Sequence, residues 1–148
     1  YEVADLGFGR CRFALAVPAG ADFYAGYHTR CIASKYVNVT RNYFEKKNMD
    51  VDIVKIEGSV ELAPILGLSD AIVDIVETGT TLKENGLVVA EEVCQVSARM
   101  IVNIASMKLR KTEINELITQ VESYVQEREA QKKANAEKTA QEKGADQA

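Results

Sequence analysis

The sequence predicts an α/β fold with mostly parallel strands, and three observations carry that expectation. Short apolar runs alternate with helical or turn-bounded segments over residues 12–84. Polar side chains stand where successive apolar runs end, at Ser34, Ser59 and Thr78. A chain of 148 residues that is 47% hydrophobic and 27% charged is long enough to bury the core of one ordinary domain. In open α/β sheets ligands bind at the carboxyl ends of the strands. Ser34, Ser59 and Thr78 are therefore expected to converge on one crevice, with Arg30, Lys35 and Lys83 the nearest basic residues.

Taken in order, residues 1–9 contain no complete element. Residues 12–17 read as a strand ended by Pro18 and a turn at Gly20, and 19–29 as a loop in which Tyr24 and Tyr27 pack. A short strand over 30–34 ends at Lys35. Val39, Tyr43 and Phe44 fall at helical spacing, so 39–47 are expected to form a helix capped by Asn38. Residues 51–56 form the next strand. Ser59 then caps a helix carrying Glu61, Leu62 and Ile65, whose regularity Pro64 limits. Residues 71–76 are apolar and rich in Ile and Val, interrupted only by Asp74, as suits a buried strand. Residues 87–91 and 95–103 read as two further strands. Thr112 caps a last helix in which Ile114, Leu117, Ile118, Val121, Tyr124 and Val125 make one apolar stripe. From Arg128 the chain is Ala, Lys, Glu and Gln, a polar low-complexity tail expected as frayed helix or disorder and unable to form a core.

Composition excludes several classes of function. A net charge of −4 and a pI near 5.1 argue against nucleic-acid binding through a general basic surface. Cys11, Cys31 and Cys94 are odd in number and lack CxxC spacing, so neither a disulfide framework nor a zinc site is expected, and reduced cytosolic thiols are. His28 is the only histidine and reads as a loop residue, which leaves no Ser/His/Asp or Cys/His constellation. The apolar FALAV run is too short for a secretion signal and follows Glu2 and Asp5; no stretch reaches membrane-spanning length. A cytoplasmic protein is the expectation. The chain opens on Tyr1 rather than Met, which hints at a piece of something longer.

The chemistry concentrates after the 71–76 strand, in Glu77, Thr78, Gly79, Thr80 and Thr81. Gly79 lets backbone amides turn toward an anion, three threonine hydroxyls flank it as donors, and a helix opening follows that Gly86 closes. Asp74 and Glu77 would repel a bare phosphate unless a ribose diol or a hydrated Mg²⁺ stands between. A phosphorylated ribose satisfies both requirements. The plainer alternative is a turn in which Thr78 or Thr80 only caps the helix and Gly79 serves only the chain reversal.

Glu61, Gly67, Ser69, Ile72, Asp74, Ile75, Thr78, Gly79, Thr81 and Leu82 stand at the spacings of the signature of the ATP phosphoribosyltransferase family. GRCRFALAVP, ASKY, VTRNYF and SARMIVNIASMKLR also resemble that family, over residues 1–127. The resemblance implies a two-lobed, periplasmic-binding-protein-like (type II) α/β fold, one lobe nearly complete and the other partial. Residues 1–10 would cross over from the first lobe, 11–96 would form the second lobe, 97–127 would return to the first, and 128–148 would be the tail. The N-terminal half of the first lobe would not be in this chain. The implied reaction moves the ribosyl phosphate of phosphoribosyl pyrophosphate to N1 of ATP and releases pyrophosphate, with Mg²⁺ as cofactor, at the opening of histidine biosynthesis. It needs no side-chain nucleophile, since positioning and stabilisation of the departing pyrophosphate supply most of the catalysis. By the resemblance, Thr78, Gly79, Thr80 and Thr81 hold the 5′-phosphate, and Asp74 takes the ribose hydroxyls or the metal. Glu77, Glu61, Lys35 and Arg30 are further substrate-binding candidates. Many members carry arginine where Thr80 stands, so a cation is absent from the loop. The lack of a following regulatory domain resembles the short form of the enzyme, a homo-oligomer that works with a separate regulatory subunit resembling a histidyl-tRNA synthetase; neither nucleic acid nor membrane is an expected partner. Two other readings fit the same residues: a non-catalytic module binding a phosphorylated ligand on this fold, and an oligomer contact along the stripe at 114–125.

Overall fold

In the computed structural model, which describes the backbone of residues 1–145 and the side chains of 1–135, seven strands and five helices form. They run β1 (Glu2–Asp5), β2 (Cys11–Pro18), β3 (Arg30–Ser34), α1 (Val37–Lys46), β4 (Val51–Lys55), α2 (Leu62–Ile65), β5 (Ala71–Val76), α3 (Thr80–Glu84), β6 (Leu87–Val96), β7 (Arg99–Ile101), α4 (Ile104–Leu109) and α5 (Lys111–Ala145). The chain divides into two units: Cys11–Val96, and Tyr1–Arg10 together with the residues from Ser97 onward.

The Cys11–Val96 unit is built on a five-stranded sheet in the order β4-β3-β5-β2-β6. β3 pairs in parallel with β4 and β5, whereas β2 pairs antiparallel with β5 and β6. The strands are mostly parallel, as expected, with one exception: β2 runs against its four companions. Residues 19–29 contain no helix to carry the chain back across the sheet, so the strands they join run in opposite directions.

Strand alternation sorts the core onto two faces. Phe13, Leu15, Val17, Ile32, Ala71 and Val73 gather with Phe23 and with Phe44 of α1. On the other face Ala14, Ala16, Ala33, Ile72 and Val76 pack under Val60, Ala63, Leu82 and Leu87, the side of α2 and α3. Asp74 alternates with Ile72 and Val76 on this alanine-rich face and stands opposite Ala14 in the ladder.

Several local expectations are corrected. α1 begins at Val37 after Tyr36, with no side-chain cap, and Asn38 lies inside it. Glu61, not Ser59, precedes α2, which has only four residues because Pro64 lacks an amide hydrogen and Gly67 turns away at φ 68°. β6 is continuous through residues 92–94; as an edge strand it tolerates Glu92 and Cys94 facing solvent. The break falls at Ser97 and Ala98 instead. Asn103 is not a polar interruption in a strand: its side chain accepts from the Ala105 amide at 2.8 Å and caps α4, an element the sequence reading lacked. Thr112 lies within α5 rather than before it.

In the other unit residues 1–9 do hold an element. β1 pairs antiparallel with β7, Glu2 opposite Ile101 and Asp5 opposite Arg99. α5 packs along β1, with Ile114, Ile118, Val121 and Val125 half-buried and Leu117 and Tyr124 exposed. The helix continues to Ala145, so the polar tail is helical through that residue; 146–148 lie outside the described residues. Among the described residues no helix is long and apolar enough to cross a membrane.

Candidate functional site

The carboxyl end of β5 places the Gly/Thr loop in solvent. Val76 is the last buried strand residue; Glu77, Thr78, Thr80 and Thr81 are exposed, and Leu82 anchors the far side in the core. Gly79 adopts φ +80°, a left-handed conformation that costs other residues about 1–2 kcal/mol, and it turns the chain into α3. The Thr78 hydroxyl accepts from the Thr80 amide at 3.4 Å, and the two threonine hydroxyls lie 3.0 Å apart. Thr78 thus closes a long turn bond without capping α3, whose N-cap is Gly79 with no side-chain cap bond, and both threonines are exposed. Asn85 and Gly86 close α3: the Asn85 side-chain amide donates to the Thr81 carbonyl at 2.9 Å, and the Gly86 amide donates to that of Lys83 at 3.0 Å. With five residues α3 has little macrodipole, so anion affinity here rests on loop amides and hydroxyls.

Asp74 lies two residues before the end of β5 and is half-buried. Its Oδ1 accepts from the Ile75 amide at 2.8 Å, and its other oxygen has no hydrogen-bond partner among the described residues. Burial pushes its carboxyl above the ordinary value; the Ile75 amide opposes this, the Glu61 carboxylate adds to it, and Lys35 opposes it. Glu61 from the α2 turn and Lys35 from the end of β3 are thus within electrostatic reach of Asp74. Lys35 also lies 3.9 Å from Glu57, which Lys55 meets at 2.8 Å. The Glu57 pairing went unread in the sequence, although the Lys-x-Glu spacing at the end of a strand was its signal.

Arg30 is not part of this assembly. It opens β3, so it lies at the amino end of the strand, four residues of rise from Ser34, or about 13 Å. Its Nη1 lies 2.6 Å from His28 Nε2 and 3.8 Å from Asp70, its Nη2 donates to the Ala25 carbonyl, and its guanidinium stands 5.6 Å from the Phe23 ring centroid. These contacts order the 19–29 loop. Ser34 does not face a ligand either. It is fully buried, donating to the Val73 carbonyl at 2.6 Å and accepting from the Tyr36 amide at 2.9 Å. Ser59 is exposed beyond β4, and Lys83 lies in the last turn of α3.

Among the described residues no three His, Cys, Asp or Glu side chains are grouped to hold a metal ion. A cation here would take one or two carboxylate oxygens, from Asp74 and Glu61, and fill its shell with water and ligand oxygens. That is the coordination habit of Mg²⁺.

A family model described as "HisG: ATP phosphoribosyltransferase" matches residues 1–123. An ATP phosphoribosyltransferase of Clostridium kluyveri is 61% identical over 127 residues, covering 86% of this chain and 58% of that protein. The chain therefore spans a little over half the length of the curated relatives it matches. Among solved structures, an ATP phosphoribosyl transferase (HisG:HisZ) complex from Thermotoga maritima aligns with a TM-score of 0.76 at 36% identity, over 85% of this chain and 62% of that one. Holo ArgBP from T. maritima aligns with a TM-score of 0.54 at 15% identity, over 86% of this chain and 55% of that one, a likeness of fold alone. The fold is of the α/β, periplasmic-binding-protein-like class. With the family model covering most of its length, this chain belongs to the ATP phosphoribosyltransferase family.

Proposed function

We propose that this chain carries the phosphoribosyl pyrophosphate site of an enzyme that transfers the 5-phosphoribosyl group to N1 of ATP, giving phosphoribosyl-ATP and pyrophosphate in the first step of histidine biosynthesis. The observation that carries this reading is a solvent-open Gly/Thr loop directly after a half-buried Asp74 with an oxygen to spare. The amides and hydroxyls of Thr78, Gly79, Thr80 and Thr81 hold the 5′-phosphate. Charge-assisted hydrogen bonds contribute about 1.5–3 kcal/mol each, so three or four anchor a phosphate without an arginine at position 80. Asp74 receives the ribose hydroxyls, Glu61 and Glu77 flank the sugar, and Lys35 supplies a positive charge within electrostatic reach of Asp74. Asp74 and Glu61 would hold Mg²⁺, which would supply charge neutralisation for the departing pyrophosphate. Held in this way, the sugar presents its anomeric carbon to the adenine while the leaving group stays fixed on the opposite side.

The same reading gives residues 11–96 the role of second lobe, 1–10 and 97–127 that of crossover and return to the first lobe, and 128–148 that of an added tail. It places the protein in the cytoplasm as a homo-oligomer. The T. maritima relative is a HisG:HisZ complex, and this supports a separate regulatory subunit for the present protein, resembling a histidyl-tRNA synthetase.

Calorimetric titration of phosphoribosyl pyrophosphate with Mg²⁺ into this chain tests the site. Saturable micromolar binding that Thr78→Ala weakens about tenfold or more is the expected result; a folded chain that binds nothing refutes it. Saturable binding with no phosphoribosyl-ATP formed by a version that includes the missing part of the first lobe, after ATP is added, marks a binding module rather than a catalyst.

A further inference from the structure

We infer that Ser34 is a positioning residue that fixes Lys35 and Asp74 relative to one another across the carboxyl ends of β3 and β5, an inference that rests on the substrate site proposed above. A fully buried hydroxyl at the end of an apolar strand is costly unless both its donor and its acceptor are used, and here both are. Alanine would fill the same space without that demand, so packing alone does not account for a serine.

The hydrogen bonds show what the hydroxyl does. The parallel ladder between β3 and β5 runs through Ile32 opposite Ala71 and Ala33 opposite Ile72. Ser34 and Val73 come next in register, and there the Ser34 side chain makes the connection, donating to the Val73 carbonyl at 2.6 Å. That carbonyl belongs to the peptide whose nitrogen is that of Asp74, so the bond fixes the plane from which the Asp74 side chain departs. The same oxygen accepts from the Tyr36 amide at 2.9 Å. Lys35 is therefore held from both sides, by Ser34 itself and by the amide after it. The Ser34 carbonyl in turn accepts from the Ile56 amide at 3.2 Å, which ties down the chain leading to Glu57, the partner of Lys35. One residue thereby braces the ends of three neighbouring strands, β4, β3 and β5, from which Glu57, Lys35 and Asp74 project.

The test compares the 148-residue chain with Ser34→Ala and Ser34→Thr. Two readouts are followed: the backbone amide shifts and hydrogen exchange of Tyr36 and Asp74 by ¹⁵N NMR, and the affinity for phosphoribosyl pyrophosphate with Mg²⁺. In the parent chain the Tyr36 amide donates to the Ser34 hydroxyl, and that hydroxyl donates to the carbonyl of the Val73–Asp74 peptide. Ser34→Ala should speed exchange of the Tyr36 amide, shift the Asp74 amide resonance and weaken binding about tenfold, as expected for loss of roughly one well-made hydrogen bond. Ser34→Thr, which keeps the hydroxyl, should restore all three. Unmoved Tyr36 and Asp74 amides in folded Ser34→Ala overturn the inference, as does a threonine variant that behaves like alanine. Should Ser34→Ala fail to fold, Ser34→Cys, whose thiol is a weak donor, must move the same two amides, and unmoved amides again overturn the inference. The amide readout needs no ligand, so a parent chain that binds no phosphoribosyl pyrophosphate removes the function proposed above while the role of Ser34 is still decided.

Discussion

A carboxylate that is half-buried with a second carboxylate nearby is destabilising in its charged form, and Asp74 is such a group. Its folded value is raised by burial first and by Glu61 besides, with the Ile75 amide and Lys35 opposing. Between the unfolded and folded values the native state holds the proton more tightly, so stability falls as pH rises through that window and stays lower at neutral pH. Asp74→Asn keeps an acceptor for the Ile75 amide and removes the charge. It should therefore melt at a higher temperature than the parent at pH 7 and show no such gain below the ordinary carboxylate range, while binding phosphoribosyl pyrophosphate more weakly. Thermal scans at the two pH values with a calorimetric titration check all three outcomes. At Thr78 the expectation is a clean loss of affinity, about tenfold or more per charge-assisted bond, with an unchanged melting temperature because the residue is exposed. Gly79→Ala differs from both. A Cβ there meets Val76 Cγ1 at 3.8 Å, ordinary contact, so the penalty is conformational and about 1–2 kcal/mol. Affinity and stability should fall together in that variant, and an unchanged denaturation midpoint would show that the loop does not need the left-handed residue.

At the scale of elements, the Cys11–Val96 unit is fastened by a polar knot on the side of its sheet that α1 covers. Glu91 of β6 accepts from Tyr24, from Tyr43 of α1 and from Lys47, and Lys47 also donates to the Tyr24 hydroxyl at 2.7 Å. The ammonium stands 5.2 and 5.0 Å from the two tyrosine ring centroids. Burial acts to raise the Glu91 carboxyl, but the hydrogen bonds from Lys47, Tyr24 and Tyr43 override it and hold the group at about 2. A depressed carboxylate contributes stability above its unfolded value, near 4.3, and loses it as pH falls toward 2. Glu91→Gln should lower stability at neutral pH by about 1–3 kcal/mol and flatten the acid limb of the stability curve; equal acid sensitivity in parent and variant would remove this role.

None of that knot was legible beforehand, because residues 24, 43, 47 and 91 meet only after β6 is known to lie beside β2. The strands at 51–55 and 71–76 were legible because Ile- and Val-rich runs bounded by turn residues have few other solutions. Caps were misread at Asn38, Ser59 and Thr112, since short polar side chains satisfy backbone groups in several local conformations and the signal alone does not choose one. The Gly/Thr loop is local in sequence and was readable. Arg30 was misplaced because nearness in sequence to Ser34 says nothing of which end of the strand a side chain occupies, and the bracing role of Ser34 becomes visible only once β3 and β5 are neighbours.

At the scale of the whole molecule, burial is distributed unequally between the two units. Of the buried apolar residues among those described, Ala4 alone lies outside Cys11–Val96. The other unit closes its two-stranded sheet with α5, yet leaves Ile101 76% and Leu109 85% exposed, together with Tyr1, Phe8 and Ile104. Apolar burial contributes about 25 cal/mol per Å², and an isolated two-stranded pairing is marginal in water. The unit with β1 and β7 should therefore open at a lower free energy than the five-stranded sheet. Native-state hydrogen exchange separates the alternatives directly. The amides of β1, β7 and α4 should exchange well ahead of those in β2, β3 and β5, and low denaturant should accelerate the first group alone. Addition of phosphoribosyl pyrophosphate with Mg²⁺ should slow exchange in β5 and α3, where the proposed ligand contacts lie, and leave the β1–β7 pairing near its starting rate. Uniform protection across both units would mean that they unfold as one, with the exposed side chains of the smaller unit covered in solution by self-association, which sedimentation at two protein concentrations would then reveal.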